Sequence, residues 1–203
     1  MDKTFFTSDT HFHHANIIKH AKRPFADVNE MDAVLKENWN RTVPKDANVW
    51  HLGDFSWKNG FPSHITKQLN GHIKVLKGNH DTWAMPTIVD DVFYDGSPYA
   101  ELSFTHTKHV VMCHYPLCSW NGMHHNSVHL FGHCHSNLQP FIERCMPNAK
   151  MLDVGVDNIA RILGGNKGDY RPVSYTEVME ILNKKPGQTV DHHKREGEHK
   201  DGK

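Results

Sequence analysis

Short apolar runs that each stop at a polar cluster set the pattern of this chain. Thr4-Phe5-Phe6-Thr7-Ser8 predicts a first strand, which ends where Asp9 and His11 begin. Asn29 then offers an N-cap with Asp32 in the first turn. Met31, Val34, Leu35, Asn38 and Trp39 follow at helical spacing and predict an amphipathic helix to about Arg41. Asn48-Val49-Trp50-His51-Leu52 predicts a buried strand that delivers Gly53-Asp54, and a second helix is expected from Pro62 to Leu69. His72 to Lys77 alternates as a strand and stops at Gly78-Asn79-His80-Asp81.

The second half changes character. Tyr99 to Thr105 and Lys108 to Cys113 predict paired strands joined through His106-Thr107, with further strands at Val128 to Phe131 and Met151 to Val154. Helix signals are fewer there, so the second sheet is expected to be largely antiparallel. Ser174-Tyr175-Thr176-Glu177 has capping-box spacing and opens a closing helix through about Leu182. Strands alternating with helices, each strand ending in a polar cluster, predict an α/β (α+β) architecture with side-chain chemistry at the carboxyl ends of strands. Residues 1–182 read as one domain. Residues 183–203, with His192, His193 and His199, carry almost no apolar residue and are expected to be a disordered polar tail. Gly164-Gly165-Asn166-Lys167-Gly168 is expected to be a surface loop.

Charge and cysteine narrow the setting. Lys+Arg and Asp+Glu balance at 23 each, which excludes a global field drawing the protein along nucleic acid or onto a membrane. No stretch approaches membrane-spanning length, and Met1-Asp2-Lys3 leads into no signal-peptide core. Cys113, Cys118, Cys134 and Cys145 show no framework spacing, so a reducing cytoplasm is expected.

The clusters carry the chemistry. Asp9-Thr10-His11, Gly53-Asp54, Gly78-Asn79-His80-Asp81, His114 and Gly132-His133-Cys134-His135 supply carboxylate, imidazole and amide donors without requiring a thiolate. That mixture suits Mn, Fe, Zn or Ni bound for catalysis rather than a cysteine-held structural zinc. Asp9-x-His11 and His133-x-His135 are alternate residues at strand ends, a spacing that points both side chains of each pair one way. Taken singly, each cluster reads as well as a surface turn or a satisfied histidine. Five in this order, each closing an apolar run, are hard to obtain from independent loops.

These residues give the chain a resemblance to the calcineurin-like metallophosphoesterase superfamily, whose pattern is D-x-H, G-D, G-N-H-D/E, H and G-H-x-H. The match spans residues 4 to about 180. Thr7-Ser8-Asp9-Thr10-His11-Phe12, Ala15-Asn16-Ile17-Ile18, Arg23-Pro24-Phe25, Asn38-Trp39-Asn40 and Cys113-His114-Tyr115-Pro116-Leu117 resemble, more narrowly, its small bacterial and phage-type members. The resemblance implies a four-layer α/β/β/α sandwich of two mixed sheets flanked by helices. It implies two divalent cations, Mn foremost, with Asp9, His11 and His135 on one, Asn79, His114 and His133 on the other, and Asp54 bridging. It implies hydrolysis of a phosphoester, diester ahead of monoester, by a metal-bridging hydroxide, with His80 as catalytic imidazole and Asp81 orienting it. The implied partner is a small phosphoester or nucleotide. Processing of short nucleic acid, or a metal-stabilised binding scaffold without catalysis, are the alternatives.

Around this set, His14 and Asn16 are candidates for touching the substrate. His13 stands where relatives often carry glycine and is placed to crowd or polarise the mouth. His124 and His125 read as decoration of an exposed loop. Tyr115 and Trp120 read either as a stacking wall for a nucleobase or as core.

Overall fold

The computed structural model describes residues 3–57, 62–82, 87–89, 92–94, 96–105 and 108–190. Two mixed sheets lie face to face with helices outside them. The first has the order β10-β1-β2-β3-β5-β4, made from β1 (Thr4–Thr7), β2 (Asn48–His51), β3 (His72–Val75), β4 (Thr87–Val89), β5 (Val92–Tyr94) and β10 (Val173–Ser174). Its centre is parallel: Phe6 faces Trp50, and Trp50 faces Lys74. The second sheet, β6-β7-β8-β9, comprises β6 (Tyr99–Thr105), β7 (Lys108–Cys113), β8 (Val128–Phe131) and β9 (Met151–Asp153).

Period-two alternation assigns the layers. On the first sheet Val49, Ile73 and Val75 face outward against Ile17 of α1 (Ala15–His20), Leu35 and Trp39 of α2 (Val28–Thr42) and Ile65 of α3 (Ser63–Thr66). Phe6 faces the other way, into an inter-sheet core with Val110, Met112, Leu130 and Leu152. Val111, Phe131 and Met151 emerge on the far side of the second sheet against Ile142 of α4 (Gln139–Cys145). This is the expected four-layer arrangement. α5 (Val156–Leu163) adds Val156 and Ala160 to the outer core of the first sheet, while α6 (Tyr175–Leu182) sends Val178 and Leu182 between the sheets.

Several expectations need correction. The second sheet is not largely antiparallel: β6 and β7 pair that way, but β7–β8 and β8–β9 are parallel. The connection from β8 to β9 carries α4, a short helix whose sequence gives little periodic signal. The N-cap of α2 is Asp27 rather than Asn29; its carboxylate accepts from the amides of Asn29 and Glu30 at 2.8 and 2.9 Å. The segment from Asn183 to Val190 runs back along the body, where Lys185 Nζ donates to Met151 O and the Asn148 amide to Gln188 Oε1. The His106-Thr107 connection and the three tail histidines lie outside the described residues.

Ser174 does open α6 with a reciprocal capping box: its hydroxyl accepts from the Glu177 amide at 3.2 Å, and Glu177 Oε2 accepts from the Ser174 amide at 2.8 Å. Ser174→Ala is therefore expected to lower the unfolding free energy by about 1 kcal/mol in urea melts.

Candidate metal centre

Each candidate side chain follows the carboxyl end of a strand, and the backbone there leaves ordinary conformations. Asp9, His11, Asp54, His133 and His135 all have positive φ, between 45° and 70°. Non-glycine residues rarely adopt this region, and clusters of them mark sites whose geometry is overdetermined by their surroundings. The supporting bonds are explicit. The Asp9 amide donates to Gly53 O at 3.0 Å and the His11 amide to Asp54 O at 3.0 Å, lacing the β1 and β2 exits together. The His133 amide donates to the Asp9 carboxylate at 2.9 Å, tying in the exit of β8. The same turns, not strand alternation, aim the ligands: His133 and His135 are directed to different clusters, contrary to the expectation that both point one way. Glycine is obligatory where these turns touch. A Cβ on Gly132 would lie 2.1 Å from Ser8 Oγ, and one on Gly78 2.3 Å from Asp54 Oδ1.

Two donor sets result. Asp9, His11 and His135 form one, and Asp54, His114 and His133 the other, each with ligand atoms within 4.8 Å of one another. Asn79 joins the second, its Oδ1 3.0 Å from His114 Nε2. Asp54 Oδ2 lies between them, 3.6 Å from His11 Nε2 and 3.5 Å from His114 Nε2. The sets fit divalent cations on the structure's own terms. They are oxygen and imidazole donors, and His11 Nε2 is buried without a hydrogen-bond partner while aimed at Asp54.

Partners behind the imidazoles fix which nitrogen is free. His114 Nδ1 donates to Leu52 O at 2.8 Å, presenting Nε2 to the site. His135 Nδ1 meets Asp157 Oδ2 at 2.6 Å, and Asp157 takes a two-pronged pair from Arg23, Nε and Nη2 both at 2.8 Å. Arg23, fully buried at its side chain, also donates to the carbonyls of Asp9 and Thr10, so one guanidinium braces the first turn and the last ligand. Nothing local in the sequence marks Asp157 beyond its position shortly after β9.

Asp81 does not orient His80. Its two oxygens accept from the amides of Asp54, Gly78 and Phe55 at 2.7, 2.9 and 3.0 Å, so it braces the turn that carries Asp54. His80 is instead attached to Asp54: its amide donates to Oδ1 at 2.8 Å, and its Nε2 lies 4.0 Å from Oδ2. His14 is buried beside His11, the two Nδ1 atoms 3.2 Å apart, and its ring stacks on Trp57 at 3.9 Å. Asn16 lies exposed on α1, with no hydrogen bond from its side chain to the cluster. His13 does not polarise the mouth: its ring bonds Asp32 at 2.8 Å and stacks on His64. Trp120 is core, donating to Ser127 O, whereas Tyr115 stands half-exposed against His114 and His133. Tyr115 also walls a cleft of about 610 Å³ with Lys77, Asn79, Thr82 and Pro98. His124 and His125 lie against each other with ring planes tilted by 46° in the 3-10 turn of the β7–β8 connection.

The electrostatics describe a pocket that holds protons where cations would sit. Burial raises Asp9, pushes Asp81 up to about 6 and Asp153 up to about 7. Burial alone would lower His114, but the Asp54 and Asp9 carboxylates outweigh it and raise the imidazole to about 9. His135 is likewise raised against its burial, by Asp157 and Asp9. His11 is held well below the ordinary range by burial and then by Arg23, which keeps its lone pair available.

No family model matches the chain. The uncharacterized protein MJ1445 of Methanocaldococcus jannaschii is 30% identical over 190 residues, covering 91% of this chain and 93% of its own. The gene 66 proteins of mycobacterium phages L5 and D29 are each 26% identical, covering 90% and 77% of this chain and 95% and 89% of their own. The crystal structure of a protein of unknown function from Aquifex aeolicus, AQ665, superposes with a TM-score of 0.62 at 23% identity. That superposition covers 88% of this chain and 98% of the other and shows a common fold.

A proton bound more tightly by folded than by unfolded protein stabilises the fold below the ordinary imidazole value of 6.5, and that contribution disappears as pH rises through about 9. Urea unfolding in chelator should accordingly show the metal-free protein losing stability as pH rises from 6.5 to about 9. The fall should shrink in His114→Gln.

Proposed function

We propose that this chain, which belongs to the same family as the uncharacterized archaeal protein MJ1445, is a hydrolase that cleaves phosphoesters with the help of two divalent cations. The observation that carries the reading is the single buried Asp54 oxygen held between imidazoles of two separate donor sets, with His80 attached to the same carboxylate. A mononuclear or purely structural site has no use for such an arrangement. When bound, such cations lower the pKa of water and offset charge on phosphoryl oxygens. Mn²⁺ suits the oxygen and imidazole donors, with Fe, Zn and Ni as further candidates.

The chain's own residues supply the rest. Leu52 O and Asp157 fix the tautomers of His114 and His135 so that each turns a lone pair inward. Asp81 and Arg23 hold the strained turns in place, and so preorganise the donors before any ligand arrives. The His80 side chain is about one-third exposed at the mouth, where an Nε2–H can pass its proton to a departing ester oxygen. This is the pattern of residues that gave the resemblance to calcineurin-like metallophosphoesterases, and the same chemistry is proposed. No helix among the described residues is long and apolar enough to cross a membrane. All four cysteines are unbridged, which supports a reducing, cytoplasmic setting.

Three substitutions separate the roles, read by metal content and by release from bis-p-nitrophenyl phosphate with Mn²⁺. Asp54→Ala should lose nearly all bound metal and turnover; normal turnover in this variant would sink the dinuclear reading. His80→Ala should keep its metal yet fall about 10²–10⁴-fold in kcat. Asp157→Asn should weaken one of the two cation sites about 10–100-fold in calorimetric titration and leave the other nearly unchanged.

A further inference from the structure

Two half-exposed aromatic side chains flank the donor sets, one beside each, and neither is accounted for by the chemistry above. Trp57 is 50% exposed and Tyr115 42%. Neither hangs free. Trp57 is fixed by the hydrogen bond its backbone amide donates to Phe12 O at 2.9 Å and by face-to-face stacking on His14, 3.9 Å between centroids with planes 9° apart. His14 in turn meets His11, so the indole is anchored to the first donor set. Tyr115 presses its ring edgewise on His114 at 5.1 Å and on His133 at 4.8 Å, both members of the second set. It also walls the cleft of about 610 Å³, a cleft that Trp57 does not line. Large aromatic faces held rigidly and left open to solvent at a mouth are what stacking on a planar ligand requires.

The position of His80 tells the two sides apart. Its ring lies 4.9 Å from Trp57 and 5.3 Å from His11, on the first-set side. A proton donor to the departing oxygen must stand beside the leaving group, so the leaving group lies towards Trp57. The substituent that stays on phosphorus then points to the Tyr115 cleft.

We infer that the substrate is a phosphodiester bearing planar substituents on both oxygens, as a dinucleotide or another nucleoside diester does, with Trp57 stacking the leaving group and Tyr115 the retained one. The inference rests on the hydrolase reading and sharpens it from ester to diester. Water adds to phosphorus, the P–O bond to the leaving group breaks, and the products are a monoester and the free alcohol or phenol.

Two esters with a common leaving group test it: bis-p-nitrophenyl phosphate and methyl p-nitrophenyl phosphate, with the Mn²⁺-loaded full chain. Trp57→Ala should lower kcat/KM about tenfold on both, through KM, and Trp57→Phe should recover most of the loss. Tyr115→Ala should reduce kcat/KM for the bis-aryl ester about tenfold relative to the methyl ester. A wild type that releases nothing from either ester overturns the hydrolase reading and this inference together. An active wild type overturns the inference alone if Trp57→Ala stays within twofold, if Trp57→Phe recovers nothing, or if Tyr115→Ala leaves the ratio of the two esters unchanged.

Discussion

A carboxylate oxygen almost wholly out of water, with an imidazole nitrogen 3.6 Å away on one side and another 3.5 Å away on the other, is the constraint around which this molecule is arranged. Burying that charge is costly unless cations or protons offset it. In the protein alone the offset comes from His114, raised by Asp54 and Asp9 despite its burial, and from amides of the turns. Asp54 itself is held below the usual carboxylate range, its burial outweighed first by His114. Divalent cations would compete with these protons for the same lone pairs, so loading the donor sets would release protons.

The strain at the strand exits follows from the same constraint. Two cations close enough to share an oxygen would need donors from the exits of β1, β2, β3, β7 and β8 within a few ångströms, and extended chain cannot turn that sharply. Left-handed residues at Asp9, His11, Asp54, His133 and His135 make the turns, and Asp81, Arg23 and Asp157 bind them from behind. Each brace is itself buried and multiply bonded, so removing one exposes an unpaired polar group as well as loosening a ligand. The arrangement is rigid before any substrate arrives, which is where a metal site gains its preorganisation.

What the sequence made legible was chemistry that repeats locally. Strand ends were marked by apolar runs meeting Asp, Asn or His, and the α6 capping box by its spacing. The seven proposed ligands do converge in two sets. What it hid was long-range. Asp81 reads as a neighbour of His80, yet two of its three amide partners, Asp54 and Phe55, are far away in sequence. Asp157 and Arg23 pair across 134 positions, and no local pattern announces that. No local pattern marks Trp57, and only its stacking on His14 gives it a place at the mouth. His13 shows the opposite error: standing where relatives often carry glycine, it was expected to crowd or polarise the mouth, but its ring is held by Asp32 and His64.

The direction of the second sheet was the most consequential misreading, because the site depends on it. β8 has four residues, a length of about 13 Å at about 3.3 Å per residue. Were β8 antiparallel to β7, His114 and the His133–His135 turn would emerge from opposite ends of the sheet, separated by about that length, and no shared carboxylate could reach both. Parallel pairing of β7 with β8 and of β8 with β9 brings His114, His133, His135 and Asp157 out at one end. There they meet Asp9, Asp54 and Asn79 from the parallel centre of the first sheet. The Gly132 amide donates to His114 O at 3.0 Å and the Val156 amide to Ser8 O at 3.1 Å, bonds that join neighbouring exits within and across the two sheets. A chain whose ligands all close apolar runs therefore requires parallel strands wherever neighbouring runs both contribute. That rule requires the parallel β7–β8 crossover, which passes through the 3-10 turn at Met123–His125 and is barely written in the sequence.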